Sequence, residues 1–362
     1  IYNYLSEISG ITLEESFKNP IIRGFSPDPS IVRVGEDYYM VNSSFVHFPG
    51  IPISHSKDLV HWKTIGHALN DASQLNFQDF DSGRGIWAAD ISYHKGRFYI
   101  VATLRRNDTE TPMRRQLVVD SDKPEGPYSA PRFIEEDGID PSLFSDGERR
   151  YMLLNRGNRI MEVDEHVTRK LSPATLLYYG DTKKATEAPH LLKKDQYYYL
   201  FMAEGGTGQG HHVNVARSQR LHGPYEPCPY NPILKQTEST ALIQRAGHGK
   251  VVDTPDGRWF MVYLGARQYA PSLTQFGRES YLAPVVWTED GWPIVGDRRR
   301  PSLINPLPHP EITPEDLSEE RGFAQDSLPL CWYFIRNIYE DDYHVQDGIL
   351  HIRASEHMPN HP

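Results

Sequence analysis

SPDPSIVRVGEDYYMV, residues 26–41, reads as a short apolar strand, a tight polar turn and a second strand rich in aromatic and β-branched residues. The same pattern returns in WAADISYHKGRFYIV (87–101), GIDPSLFSDGERRYMLL (138–154), TEAPHLLKKDQYYYLF (186–201) and AGHGKVVDTPDGRWFMV (246–262). Aligned on the second strand, the first position of the repeat holds Asp28, Ala88, Asp140, Glu187 and His248, at intervals of 60, 52, 47 and 61 residues. All-β units recurring every 40–50 residues or so are the signature of propeller blades, each a four-stranded sheet. The turns VGED, HKGR, SDGE and PDGR carry the Gly, Asp and Lys that hairpin connections need. Proline at the strand starts in SPDPS and IDPS is tolerated, because a first strand residue need not donate to the ladder. No long amphipathic helices alternate with the strands, which disfavours a parallel α/β fold. The expected architecture is all-β, a five-bladed β-propeller.

Composition fits. Aromatics make up 11% of the 362 residues, with 21 Tyr and 6 Trp, as suits β-sheets and sugar-facing surfaces. The net charge of −10 lies along the chain without long basic runs, so no nucleic-acid partner is expected. No run of 18 apolar residues occurs, so no membrane partner is expected either. Cys228 and Cys331 have no metal-ligand spacing and read as two free thiols. The chain begins at Ile1 without a Met or a signal-type apolar core. Its compartment is not legible, with a secreted or periplasmic setting slightly favoured over the cytoplasm. A homo-oligomer is left open.

Equivalent positions in a ring of blades face one axis. Three carboxylates and a histidine therefore converge there, which is the layout of an acid/base site. A glycosidic bond is broken by two carboxyl groups flanking the anomeric carbon, one protonated and one ionised. A third acid can hold the first one's pKa up by charge repulsion. Glu187, with the longer side chain, is assigned as general acid, Asp28 as general base and Asp140 as pKa modulator. The residues alone leave the two aspartates interchangeable. Asp-Pro-Ser is also a common turn sequence. Two copies at one repeat position, with Glu in a third, favour a site.

Across residues 19–305 the chain resembles glycoside hydrolase family 43. The likeness rests on NPIIRGFSPDPSIVRVGEDYYMVNSSFVHFPGIPISHSKDLVHW (19–62), GIWAADISYHKGRFYIV (85–101), IDPSLF (139–144), TEAPHLL (186–192), GHGKVVDTPDGRWFMVYLGAR (247–267) and GRESYLAPVVWTEDGWPIV (277–295). The resemblance implies a five-bladed propeller, hydrolysis with inversion, and the base, modulator and acid roles for Asp28, Asp140 and Glu187. It is nearest to members active as β-xylosidases and α-L-arabinofuranosidases, which implies an exo-acting enzyme releasing terminal xylose or L-arabinofuranose from xylan, arabinoxylan or arabinan oligosaccharides. An endo-arabinanase-like enzyme and a non-catalytic glycan-binding propeller are the alternatives. The first needs an open groove, which the FVHFPGIPISH insertion should wall; the second has no need of three acids on one axis.

Trp87 and Phe45 are candidate pocket walls, since aromatic faces stack on sugars; each could instead be a core aromatic. Arg267 resembles the family arginine that donates to substrate hydroxyls. In GRES, Arg278 and Glu279 are read as outside the first contact layer, with Glu279 a structural partner of an arginine. The resemblance implies a histidine at the place of His248 in many relatives; it is read as a substrate-side residue with a structural or electrostatic role in the channel floor. No cofactor is required; the alternative is a Ca²⁺ ion in the central channel near His248, although a lone His is a poor calcium ligand. The loop GGTGQG (205–210), before His211 and His212 and near Glu204, lacks the Lys-Ser/Thr of a phosphate loop and should shape the pocket rim. The expected division is an N-terminal extension over 1–18, the catalytic propeller over 19–305, a Pro- and Glu-rich linker over 306–322, and the start of a truncated β-sandwich over 323–362. Some 40 residues cannot bury a sandwich core alone.

Overall fold

The computed structural model describes residues 15–155, 157–314, 323, 326–337 and 342–353. Five antiparallel sheets follow one another along the chain, each built from strands in sequence order. Blade 1 comprises Ser30–Val34, Asp37–Val41, Gly50–Ser56 and Lys63–Leu69. Blade 2 comprises Gly85–His94, Arg97–Arg105, Arg114–Ser121 and Arg132–Ile134. Blade 3 comprises Ser142–Asp146, Arg149–Leu154, Arg159–Val163 and Thr175–Leu176. Blade 4 comprises Glu187–Lys194, Tyr197–Glu204, His212–Ser218 and Glu226–Pro227. Blade 5 comprises Ile243–Asp253, Trp259–Ala270, Glu279–Trp287 and Pro293–Val295. The first strand of each blade is the innermost, and the five-bladed all-β propeller read from the repeat is the fold.

The second strands are nearly continuous in apolar residues because both of their faces are buried. Side chains alternate across a strand, so neighbouring residues feed different cores. In blade 4, Leu200 and Met202 pack with blade 3 residues Tyr151 and Leu153, while Tyr199 and Phe201 pack with blade 5 residues Met261 and Tyr263. Blade 1 does the same: Tyr39 and Val41 face blade 2, and Tyr38 and Met40 face Phe260 and Val262 of blade 5. With the wedge of Tyr99 and Val101 against Met152 and Leu154, the core is a ring of five wedges around the axis.

A ring must be joined where its ends meet. Here no blade is shared between the termini, and side chains make the seam. Asn19 donates from Nδ2 to Leu282 O at 2.8 Å and to Ser302 O at 2.9 Å, and accepts from Leu282 N–H at 3.0 Å. Asn42 donates to the carbonyls of Ser26 and Pro27 and to Ser280 Oγ, at 3.0, 3.0 and 2.9 Å. Ser16–Lys18 pairs with Ile304–Pro306, and Phe17 is buried in the wedge between blades 5 and 1. Paired structure therefore reaches upstream of Asn19, into the stretch expected to be an extension. The linker is likewise docked, with His309 Nε2 3.0 Å from Tyr38 Oη.

Beyond it, Phe334–Ile335 pairs with His47–Phe48, in the connection between the second and third strands of blade 1, and Arg336 donates to Phe80 O. Tyr343–Gln346 and Ile349–Ile352 form a hairpin. The described residues after 323 form these pieces and not a sandwich sheet.

Two residues beyond Asp28, Ala88, Asp140, Ala188 and His248, the residues Ser30, Asp90, Ser142, His190 and Lys250 form a second ring below the mouth of the channel. Lys250 Nζ donates to Asp90 Oδ1 at 2.5 Å, Ser30 Oγ at 3.0 Å and Ile91 O at 2.9 Å. Ser30 Oγ–H donates to Asp90 Oδ1 at 2.7 Å, and Leu143 N–H to Asp90 Oδ2 at 3.0 Å. A fully buried carboxylate is thus neutralised across three blades. Breaking such a pair on one side leaves an uncompensated charge and costs about 3–5 kcal/mol. Lys250→Met should lower the unfolding free energy by that order in chemical denaturation. Adding Asp90→Asn should recover part of the loss, and equal stabilities of the single and double variants would contradict the pairing.

Candidate active site

The inner strands open at the channel mouth onto a pocket of about 240 Å³ that Asp28, Asp140, Glu187 and His248 share. Asp28, Asp140 and His248 enter their strands with left-handed backbone, at φ 52°, 57° and 49°. Such values are uncommon outside glycine and persist where packing enforces them. They turn these side chains off the strand line toward the axis.

Blade 4 differs. Its hairpin pairs His190 with Phe201 and Lys194 with Tyr197, as blade 1 pairs Ser30 with Val41 and Val34 with Asp37. The residue equivalent to Asp28 is therefore Ala188, which has the matching φ of 53°. Glu187 lies one residue earlier, across a bulge between Glu187 and His190. The sequence alignment that put Glu187 level with Asp28 and Asp140 is off by one in this blade. The carboxyl still reaches the pocket, and the displaced Ala188 N–H donates to Asp140 Oδ2 at 3.0 Å.

The acids sit in contrasting surroundings. Asp28 Oδ1 accepts from Arg278 at 2.8 Å and lies 3.4 Å from His248 Nδ1, while Oδ2 accepts from Ser43 Oγ–H at 2.6 Å. Burial acts to raise its pKa, but the Arg278 charge and the His248 and Ser43 hydrogen bonds outweigh it and hold Asp28 well below the usual range. The Asp28 carboxylate in turn raises His248 against the opposing effect of burial. Among the described residues no Lys or Arg touches the Glu187 carboxyl. Burial first, and then the Asp140 charge, push it up to about 8. Burial also lifts Asp140, to about 6, aided by the Asp28 charge and opposed by His248. Near neutral pH the pocket holds an ionised Asp28 and a protonated Glu187, which is the pairing acid/base chemistry requires.

Phe45 and Trp87 both line the pocket, half-buried, with ring centroids 6.4 Å apart. Trp87 Nε1–H donates to Gly83 O at 2.9 Å, and backbone bonds between Phe45 and Ile86 tie the two walls together. Thr207 of the GGTGQG loop and His211 also face the pocket. His211 Nδ1 stands 3.9 Å from Glu187 Oε1, and burial pushes this ring down to about 3, so it is neutral.

The two arginines exchange the places expected of them. Arg267 does not line the pocket; it makes a bidentate pair with the buried Glu279, both contacts at 2.8 Å, and lies over the Phe276 ring. Arg278 lines the pocket instead, bonded to Asp28 and 5.6 Å from the centroid of Phe45. GRES holds the signal for this. Arg278 immediately precedes the strand Glu279–Trp287, and its carbonyl accepts from Ser26 N–H, beside Asp28.

The alternative of a channel calcium meets an unsuitable donor set. Asp28 is committed to Arg278 and Ser43, and the buried oxygens of Asp90 and Ser30 already surround the Lys250 ammonium. Among the described residues no group of three or more His, Cys, Asp or Glu is arranged to hold a metal ion. A fixed ammonium at the axis repels a dication. These residues do not fit calcium.

Residues 17–293 match the family model for glycosyl hydrolases family 43. The chain is 39% identical over 338 residues to a xylosidase/arabinosidase 43B of Humicola insolens, covering 88% of this chain and 62% of that protein. It is 38% identical over 332 residues to a non-reducing end alpha-L-arabinofuranosidase of Bacteroides ovatus, covering 90% of this chain and 62% of that one. Among solved structures, the GH43 protein BlXynB of Bacillus licheniformis superposes with a TM-score of 0.87 at 49% identity, over 91% of this chain and 66% of that one. The chain thus spans about 62% of the length of the curated relatives it matches. With the family match covering most of its length and the propeller and carboxylate pocket in place, this chain belongs to glycoside hydrolase family 43.

Proposed function

We propose that this chain carries the site of an exo-acting, inverting glycosidase that removes terminal xylose or L-arabinofuranose from xylan, arabinoxylan or arabinan oligosaccharides. The observation that carries the reading is the contrast between two acids in one pocket: Asp28 is bonded to Arg278 and Ser43, whereas Glu187 is buried beside Asp140 with no hydrogen bond to its carboxyl among the described residues. Glu187 delivers its proton to the glycosidic oxygen as the bond to the anomeric carbon breaks. Asp28 takes a proton from the water that attacks the opposite face. The water's hydroxyl ends on the anomeric carbon, and the proton lost by Glu187 leaves on the aglycone. Burial keeps Glu187 protonated, and the negative charge of Asp140 adds to it. The arginine that we place beside the substrate is Arg278, next to Asp28, and His248 steadies the same carboxylate.

The size of the pocket supports exo action. About 240 Å³ is below the span of sites for drug-sized ligands and suits a single sugar ring. Phe45 and Trp87 wall it, which disfavours the open groove of an endo enzyme. The names of relatives include both xylosidases and arabinofuranosidases and support a pentose at this position.

Two 4-nitrophenyl glycosides, the β-D-xylopyranoside and the α-L-arabinofuranoside, should be assayed side by side, with proton NMR of the first sugar released. Inverted anomeric configuration is expected from either substrate, and a retained configuration would end the inverting proposal. Asp140→Asn tests the proton balance. Removing the negative charge lowers the pKa of Glu187, so the alkaline limb of the pH profile of kcat/KM should move to lower pH. Burial is the larger cause and remains, so the limb should stay above that of an exposed glutamate. At neutral pH the loss should be roughly tenfold or more. An unmoved limb would assign Asp140 a direct contact with sugar instead.

A further inference from the structure

Glu204 is fully buried, and the chemistry above does not use it. It ends the second strand of blade 4, next to Ala203, which pairs with Glu187. Among the described residues, its carboxylate accepts from Thr182, Thr186 and Asn214. Oε2 takes Thr182 N–H at 3.0 Å, Thr182 Oγ1–H at 2.9 Å and Asn214 Nδ2–H at 2.8 Å; Thr186 Oγ1, 3.1 Å from Oε1, shares its one proton between Oε1 and Tyr179 O at 3.0 Å. His212 Nε2 stands 3.8 Å from Oε2. Gly180 passes so close that a Cβ there would lie 1.8 Å from Oε1. The adjacent Gly205 N–H donates to Lys184 O at 3.0 Å. The segment 180–186 is thus folded over one buried carboxylate, and Glu187 is the next residue.

The pocket acids are not held alike. Asp28 has Arg278, His248 and Ser43, and Asp140 has Ala188 N–H, whereas among the described residues no hydrogen bond holds the Glu187 carboxyl. Pro29 and Pro141 follow the two aspartates directly and restrict their backbone, whereas Glu187 follows a loop and has one more side-chain torsion. Its carboxyl can be placed only through its backbone, and that backbone is anchored on the upstream side by Thr186 and Thr182. A buried charge is costly, and a fully satisfied network around it rigidifies what it binds.

We infer that Glu204 is a positioning residue for Glu187: its carboxylate holds the 180–186 loop from beneath, and the loop sets where the acid's proton points. The inference rests on the reading of Glu187 as proton donor. Loosening the loop admits water beside Glu187, which is otherwise faced by Asp140 from blade 3, Asp28 from blade 1, His211 from blade 4, and His248 and Arg278 from blade 5.

The test compares xylobiose with 4-nitrophenyl β-D-xylopyranoside, or the arabinose pair if that pentose is preferred, in wild type, Glu204→Ala, Glu204→Gln, Thr186→Val and Glu187→Ala. Glu204→Ala should cut kcat roughly 30-fold on the disaccharide, whose leaving group needs the proton, and less than about threefold on the nitrophenyl glycoside. KM should stay within about twofold, and the alkaline limb should move to lower pH. Glu204→Gln should retain most activity, because its oxygen accepts from Thr182 and Asn214 and its amide can donate to Thr186 Oγ1. Thr186→Val removes one of the same bonds from the loop side and should repeat the pattern more weakly, even if Glu204→Ala does not fold. If Glu187→Ala discriminates between the leaving groups and the Glu204 and Thr186 variants lose activity equally on both, Glu204 is structural and the inference is overturned. If Glu187→Ala itself does not discriminate, the acid assignment falls, and the role of Glu204 with it.

Discussion

Five wedge-shaped cores leave two blades that must be fastened to each other, and the seam between blades 5 and 1 is where that constraint is met. Asn19 and Asn42 satisfy backbone groups that no shared strand covers. Each of these polar groups is buried and would be costly unpaired. The seam is also the place where Asp28 of blade 1 meets Arg278 and His248 of blade 5. The bonds that close the ring therefore also fix the ionised half of the site, and a chain that failed to close would hold no assembled pocket.

Around the axis the fold sorts like charges by giving them unlike neighbours. Asp28 receives a guanidinium, an imidazole and a hydroxyl, and stays ionised despite burial. Glu187, in the same pocket, receives a neutral His211 and the negative field of Asp140. One level down, Asp90 is neutralised by Lys250, so the carboxylate beneath the pocket adds little net charge to it. The proton balance of the pocket is thus set by burial together with what each acid faces: Arg278 and His248 beside Asp28, and the Asp140 charge beside Glu187.

Much of this was legible from the chain. The five hairpin units, their spacing and the acids at their starts lead from residues to blades to a carboxylate pocket, because period-2 strands and turn residues are local signals. Trp87 and Phe45 could be singled out as aromatics beside the axial positions, and both line the pocket. The offset in blade 4 was itself legible: residues 26–41 and 186–201 are equal in length, and matched without a gap they set Ala188 opposite Asp28; what the chain did not show is that a carboxyl one residue earlier, across a bulge, still reaches the pocket. The exchange of Arg267 and Arg278 was hidden for a tertiary reason. Both are on blade 5, and only the approach of blade 1 decides which of them meets Asp28.

Sequence by itself determined the fold class, the family and the identity of the three pocket acids, because repeated local patterns and motifs carry that information. Tertiary structure decided how those acids differ. Their proton affinities depend on burial and on charges supplied by other blades, as for Asp28 with Arg278, 250 residues away along the chain; the same holds below the pocket for Asp90 with Lys250, 160 residues away. It also decided that the channel holds an ammonium among its oxygens. That outcome requires Ser30, Asp90 and Lys250 to meet at one level of a closed ring, and no local segment contains more than one of them.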